Sequence, residues 1–284
     1  MRSETQMLEL IIKTANEDDR VRAAYLTGSR ANPEALKDDL QDYDVIFLVT
    51  ETKSFYEDKE WIKTFGEVLY MQCPEEMDRL IGIDCDIDAC YGWLVMFTDG
   101  NRLDLHVQTI DSFERPESVH CRILVDKDGL LENITELSDV NYRVKKPPEG
   151  EYIFACNEFW WCINNAAKGI CRYEIPYAQE MINDVIRPQL IKMLSWKIGI
   201  DNDFNVSVGK SAKYMYRWLT EDEWENFLST YSGSIAGEME RSLMLMCDMF
   251  SENARYVGEK LGFAYNESDE KAARIYLNSF LGIE

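Results

Sequence analysis

The sequence predicts an α+β chain, with an N-terminal domain built on a mixed β-sheet flanked by helices and a C-terminal α-helical bundle. Three observations predict it. β-rich runs recur through the first half, and the apolar period is helical almost throughout the second. Between them Val144–Gly150 (VKKPPEG) interrupts any regular element with two prolines and a glycine. The expected domains are 1–145 and 151–284, and 284 residues are enough to bury two modest cores.

The elements follow in order. Ser3 to Asn16 carries Met7, Leu8, Leu10, Ile11 and Ile12, with Ser3 and Gln6 spaced as a capping box, and reads as a first helix. Val21–Thr27, Tyr43–Thr50, Tyr91–Thr98 and Leu103–Ile110 are β-rich and read as strands, with a helix expected over Glu60–Tyr70 between the second and third. Past the break, Tyr152, Cys156, Phe159, Ile163, Ala166 and Ile170 make one apolar helical stripe. Met239, Leu243, Met246, Phe250, Val257 and Leu261 make another. Thr220 with Glu223 forms a second capping box, and Pro188 marks a helix start or kink. There is no internal repeat and no low-complexity segment.

Charge narrows the partners. Thirty Lys and Arg against 52 Asp and Glu leave −22, a surface that repels phosphate backbones and disfavours nucleic-acid binding while attracting small cations. The same acidity also serves solubility. No apolar run approaches the ~20 residues of a membrane helix and the N-terminus has no signal-peptide core, so a cytoplasmic protein without a membrane partner is expected. Eight cysteines without a C-x-x-C pair, and His106 and His120 as the only histidines, leave no zinc-site spacing; the thiols read as reduced and mostly buried. Without a secretory route, the sequons at Asn133 and Asn266 are idle.

Three pieces of the first domain carry chemistry. Leu26-Thr27-Gly28-Ser29-Arg30 ends a strand in a Gly-Ser turn, where the missing Cβ lets backbone N–H groups approach a phosphate and the hydroxyl adds a donor. After a spacer of twelve residues comes Asp42-Tyr43-Asp44 at the head of an apolar strand. Residues two apart on a strand share a face, and two carboxylates that close repel unless a cation lies between them; oxygen-only ligands select Mg²⁺ or Mn²⁺. The same pattern also describes a solvated strand mouth. In Arg102-Leu103-Asp104-Leu105-His106-Val107 the alternation sets Arg102, Asp104 and His106 on one face. Asp104 there either completes a three-carboxylate metal site or belongs to the wet face of a half-buried strand.

Joined in that order and spacing, the pieces resemble the signature of the polymerase-β-like nucleotidyltransferase superfamily. The wider match is closer. YLTGSRANP at 25–33, QDYDVIFLV at 41–49, NEFWWCINNAAKG at 157–169, IKMLSWKIG at 191–199 and VGKSAKY at 208–214 resemble the aminoglycoside 6-adenylyltransferases, which act on streptomycin. The resemblance implies AMP transfer from ATP to an aminoglycoside hydroxyl, with release of pyrophosphate and antibiotic resistance. It implies two Mg²⁺ ions on Asp42, Asp44 and Asp104, with Gly28, Ser29 and Arg30 at the nucleotide and Asp104 facing the acceptor hydroxyl. His106 is not part of the motif.

The second domain offers further candidates. Glu151, Glu158, Trp161 and Asn165 share a helix face opposite the apolar stripe; carboxylates pair with guanidinium and indole stacks on it, which suits a cationic drug, while a solvated face has the same pattern. Lys210 and Lys213 are candidate triphosphate contacts or plain surface lysines. Val208-Gly209-Lys210-Ser211 imitates the end of a phosphate-binding P-loop, but Phe204 stands where the upstream glycine is required. Two other readings stay open: a nucleotidyltransferase acting on a protein or RNA hydroxyl, and an inactive binding relative.

Overall fold

The computed structural model describes residues 1–33, 35–114, 121–132 and 143–281, and the chain divides into two compact units, 1–141 and 142–284. His120 and the Asn133 sequon lie outside the described residues. Among the described residues no helix is long and apolar enough to cross a membrane.

The first unit opens with α1 (Glu4–Glu17), whose Ser3 hydroxyl accepts from the Gln6 N–H while the Gln6 side chain accepts from the Ser3 N–H. Then come β1 (Val21–Thr27), the single turn α2 (Gly28–Ala31), β2 (Tyr43–Val49), α3 (Lys53–Glu57), β3 (Val68–Gln72), α4 (Pro74–Leu80), β4 (Cys90–Phe97), β5 (Arg102–Thr109) and β6 (Arg122–Asp126). The sheet runs β3-β4-β5-β2-β1-β6, with β2 and β5 parallel and the other neighbours antiparallel. Val45, Phe47 and Val49 of β2 and Leu103, Leu105 and Val107 of β5 pack with Met7, Leu8, Ile11 and Ala15 of α1 in one core. The strand alternation therefore turns Asp44 and Asp104 to the opposite face.

The expected helix over Glu60–Tyr70 is corrected. Trp61–Phe65 is a short 3₁₀ helix, and Val68–Gln72 is the edge strand β3, pairing with β4. Gly66, at φ +145°, divides the two; a Cβ there would stand 2.7 Å from Nη2 of Arg2 and 3.1 Å from the Phe97 ring. The pattern also did not announce α3, α4, started by Pro74 with Glu75 and Glu76 in its first turn, or β6.

Among its described residues the second unit has only helices as regular elements, chiefly α5 (Glu149–Cys171), α6 (Ile175–Glu180), α7 (Arg187–Asp201), α8 (Glu221–Ser229), α9 (Ala236–Leu261) and α10 (Glu267–Leu281). The α5 stripe from Tyr152 to Ile170 is buried, and its Phe159 ring stacks on Phe250 of α9 at 3.8 Å between centroids, 4° from parallel. The Tyr152 hydroxyl donates to the Ala254 carbonyl at 2.8 Å. Between α6 and α7 the backbone passes through a π-helical stretch, Met181–Ile186, which ends two residues before Pro188, the residue that cannot supply a helical N–H. Thr220 and Glu223 form the reciprocal cap of α8. The eight cysteines are not in disulfides; Cys73, Cys121, Cys156, Cys162 and Cys247 are buried and Cys171 is exposed.

Candidate active site

β1 leaves the core at Thr27, and the register places Thr27 opposite Asp44 of β2, which in turn pairs with Asp104 of β5. The three lie in one row across the sheet, on the face turned away from the α1 core. Next to Thr27 the chain enters α2 through Gly28, at φ +67°. A Cβ on Gly28 would fall 1.9 Å from an Asp44 carboxylate oxygen. The glycine thus admits both the left-handed turn and the close approach of backbone to the acid. Ser29 sits half-buried in the same turn.

Arg30 holds the neighbouring loop. Its guanidinium lies 3.9 Å from the Tyr43 ring centroid, and it donates to the carbonyls of Gln41 at 2.8 Å and Asp42 at 3.1 Å. Glu4 pairs with it at 3.5 Å. With these partners Arg30 fixes the backbone that presents Asp42, and its guanidinium is turned to the loop.

The electrostatics of the row are those of crowded acids. Burial pushes the Asp44 carboxyl up to about 6, and the charges of Asp104 and Asp42 push the same way. Asp42 is also raised, first by burial; Arg102 opposes this and Asp104 adds to it. A cationic side chain already answers the crowding. Arg102 forks the Asp104 carboxylate through Nε at 2.8 Å and Nη2 at 2.7 Å, and its Nη1 lies 3.4 Å from Asp42. Among the described residues no three His, Cys, Asp or Glu side chains stand as a ready metal cage. The donor set nevertheless fits a hard divalent ion: oxygen-only, from adjacent strands, with a guanidinium in place as a stand-in cation.

Sequence reasoning did not assign Arg102 a role, although the alternation that set Asp104 on this face set Arg102 there too. A strand places i and i+2 side by side, and that was the signal available. His106, one step further along the same face, lies against Gly92 of β4, where a Cβ would come within 2.5 Å of the imidazole. The glycine makes the room that the ring occupies.

In the second unit Glu151, Glu158, Trp161 and Asn165 all stand on α5, and one of them borders a pocket. Trp161, 70% exposed, lines a pocket of about 530 Å³ together with Asn157, Trp160 and Asn164 of α5 and Asp269 and Tyr276 of α10. Glu151, Glu158 and Asn165 are not in its wall. Asp269 and Tyr276 were illegible as partners of Trp161, being more than a hundred positions away. Glu158 accepts from the Cys162 thiol at 3.5 Å, and Glu151 is exposed. Lys210 and Lys213 are exposed on a tight turn in which Gly209, Ser211 and Ala212 all have positive φ (72°, 55° and 62°). The Lys213 ammonium stands 5.0 Å over the Tyr214 ring.

The family model described as streptomycin adenylyltransferase matches residues 1–280. Aminoglycoside 6-adenylyltransferases of Bacillus subtilis and Campylobacter jejuni are each 34% identical over 274 residues, covering 95% of this chain and 95% and 93% of theirs. The Staphylococcus aureus enzyme of the same name is 32% identical, covering 99% of both chains. A crystal structure of an aminoglycoside 6-adenyltransferase from Bacillus subtilis is similar at 30% identity and TM-score 0.47, over 100% of both chains.

Proposed function

Because the chain belongs to the streptomycin adenylyltransferase family and is a nucleotidyltransferase, we propose that it transfers AMP from ATP to the 6-hydroxyl of streptomycin, releasing pyrophosphate and conferring resistance to the drug. The observation that carries this reading is the row Thr27–Asp44–Asp104, which sets two strand carboxylates side by side next to the Gly28-Ser29 turn.

Asp42, Asp44 and Asp104 would hold two Mg²⁺ ions, whose positive charge stabilises the attacking and leaving oxygens of an in-line displacement. Gly28 and Ser29 bind the β- and γ-phosphates through backbone N–H groups and the hydroxyl. Arg30, which the resemblance sets at the nucleotide, acts through the loop it pins, keeping Asp42 in place. Asp104 takes the proton of the drug hydroxyl as its oxygen attacks the α-phosphorus. The bond from that phosphorus to the bridging oxygen breaks, and pyrophosphate leaves with the electron pair. Lys210 and Lys213 are assigned to the triphosphate, and Glu151, Glu158, Trp161 and Asn165 to the cationic drug. The net charge of −22 raises the local concentration of such a drug and disfavours an RNA acceptor.

The test is incubation with Mg²⁺, ATP and a panel of aminoglycosides, scored by mass. Addition of one AMP to streptomycin is expected, and no adduct on any member of the panel overturns the proposal.

A further inference from the structure

We propose that Arg102 is a tethered stand-in for the metal: in the nucleotide-free chain its guanidinium neutralises Asp104 and Asp42, and it must swing out before these acids can hold a divalent ion. The inference rests on the assignment of those acids to metal. Three observations carry it. The guanidinium makes two parallel bonds to Asp104, at 2.8 and 2.7 Å, and reaches Asp42 at 3.4 Å with its third nitrogen, so one side chain spans two of the three acids. The Asp104 side chain is 14% exposed and that of Arg102 is 40% exposed, which leaves the arginine a path into solvent while the acid stays in the wall. Among the described residues no three carboxylates are gathered as a ready cage, Asp42, Asp44 and Asp104 included, in keeping with a guanidinium held between two of them.

A carboxylate that accepts two N–H bonds from a guanidinium has both oxygens engaged, and a hard cation competes for the same lone pairs. Metal binding therefore includes the cost of breaking the fork. An Arg102 side chain released in this way still carries its charge and is free to meet an arriving triphosphate. Arg102 is on this account a positioning residue: it keeps the acids apart from each other's charge until metal takes over.

Manganese titration of the nucleotide-free protein, followed by the loss of the free-ion EPR signal, tests this without turnover. Arg102→Ala, and Arg102→Met as a variant that keeps the aliphatic stem, are expected to bind Mn²⁺ about tenfold or more tightly than wild type, a gain near that of losing a bidentate ion pair. Unchanged or weaker Mn²⁺ binding in both variants overturns the proposal and makes Arg102 a support for Asp104 in its working position. Asp44→Asn in the wild-type background separates the two failures. If it weakens Mn²⁺ binding while the Arg102 variants change nothing, the stand-in role alone falls. If it has no effect either, the metal assignment falls, and the stand-in role with it.

Discussion

A Cβ placed on Gly28 would lie 1.9 Å from the Asp44 carboxylate, so the turn after β1 and the acid of β2 occupy adjoining space that only glycine leaves open. Gly28→Ala has to move Asp44 and also to hold a φ of +67° with a side chain. We expect it to cost roughly 1–3 kcal/mol of stability and at least a hundredfold in AMP transfer. Thermal melting together with the adenylylation assay checks this; transfer near the wild-type rate would show that Asp44 can shift freely, against its assigned role.

Asp42→Asn and Asp44→Asn are both expected to abolish turnover by removing metal ligands. The stability effect of the second is less intuitive. Asp44 is raised to about 6 in the folded chain against about 3.9 unfolded, so the folded state holds the proton more firmly, and stability falls as pH rises from about 4 through about 6. Removing that charge should make metal-free Asp44→Asn more stable than wild type at pH 7, by roughly 1–2 kcal/mol after allowing for solvent screening of a half-buried group. Below about pH 4 the two should converge. Denaturant unfolding in EDTA across pH 4–8 reads the difference directly, and a variant less stable than wild type at pH 7 contradicts the electrostatic account.

Asp104→Asn keeps shape and removes basicity. Transfer should fall by roughly 10²–10⁴-fold, the scale of a lost general base, while Mg²⁺-ATP and streptomycin still bind. Calorimetric titration with each ligand decides it: loss of ATP binding along with activity would make Asp104 chiefly a metal ligand and send the search for the base elsewhere.

Truncation of Glu158 or Trp161 to alanine should raise KM for the drug severalfold while leaving KM for ATP close to unchanged. Trp161 is exposed, so its loss is expected to cost little stability. Equal effects on both substrates, or none, would place the drug on other residues of the helical unit. The pocket that Trp161 shares with Asp269 and Tyr276 is where an effect of Trp161 alone, without Glu158, would point.

Much of the molecule is dictated locally. The Ser3–Gln6 and Thr220–Glu223 caps, the buried stripe of α5 and the alternation of β2 and β5 all follow from the period of the backbone, which a stretch of ten residues displays in full. The spacing of Gly28, Ser29, Asp42 and Asp44 likewise lies within one short segment of the chain. What the residues alone left undecided depends on pairing between distant segments. Val68–Gln72 has no helical or strand identity of its own strong enough to prevail, and became an edge strand because Gly66 breaks the helix and β4 offers unpaired N–H and C=O groups. The parallel register of β2 with β5 sets Asp104 opposite Asp44, sixty positions away, and no local pattern states which residue faces which. The Arg102 fork is half local, since Asp104 is two positions along the same strand; its reach to Asp42 exists only once the two strands have paired. Periodicity is a property of a segment, whereas register is an agreement between two, reached only when the whole sheet buries its apolar face.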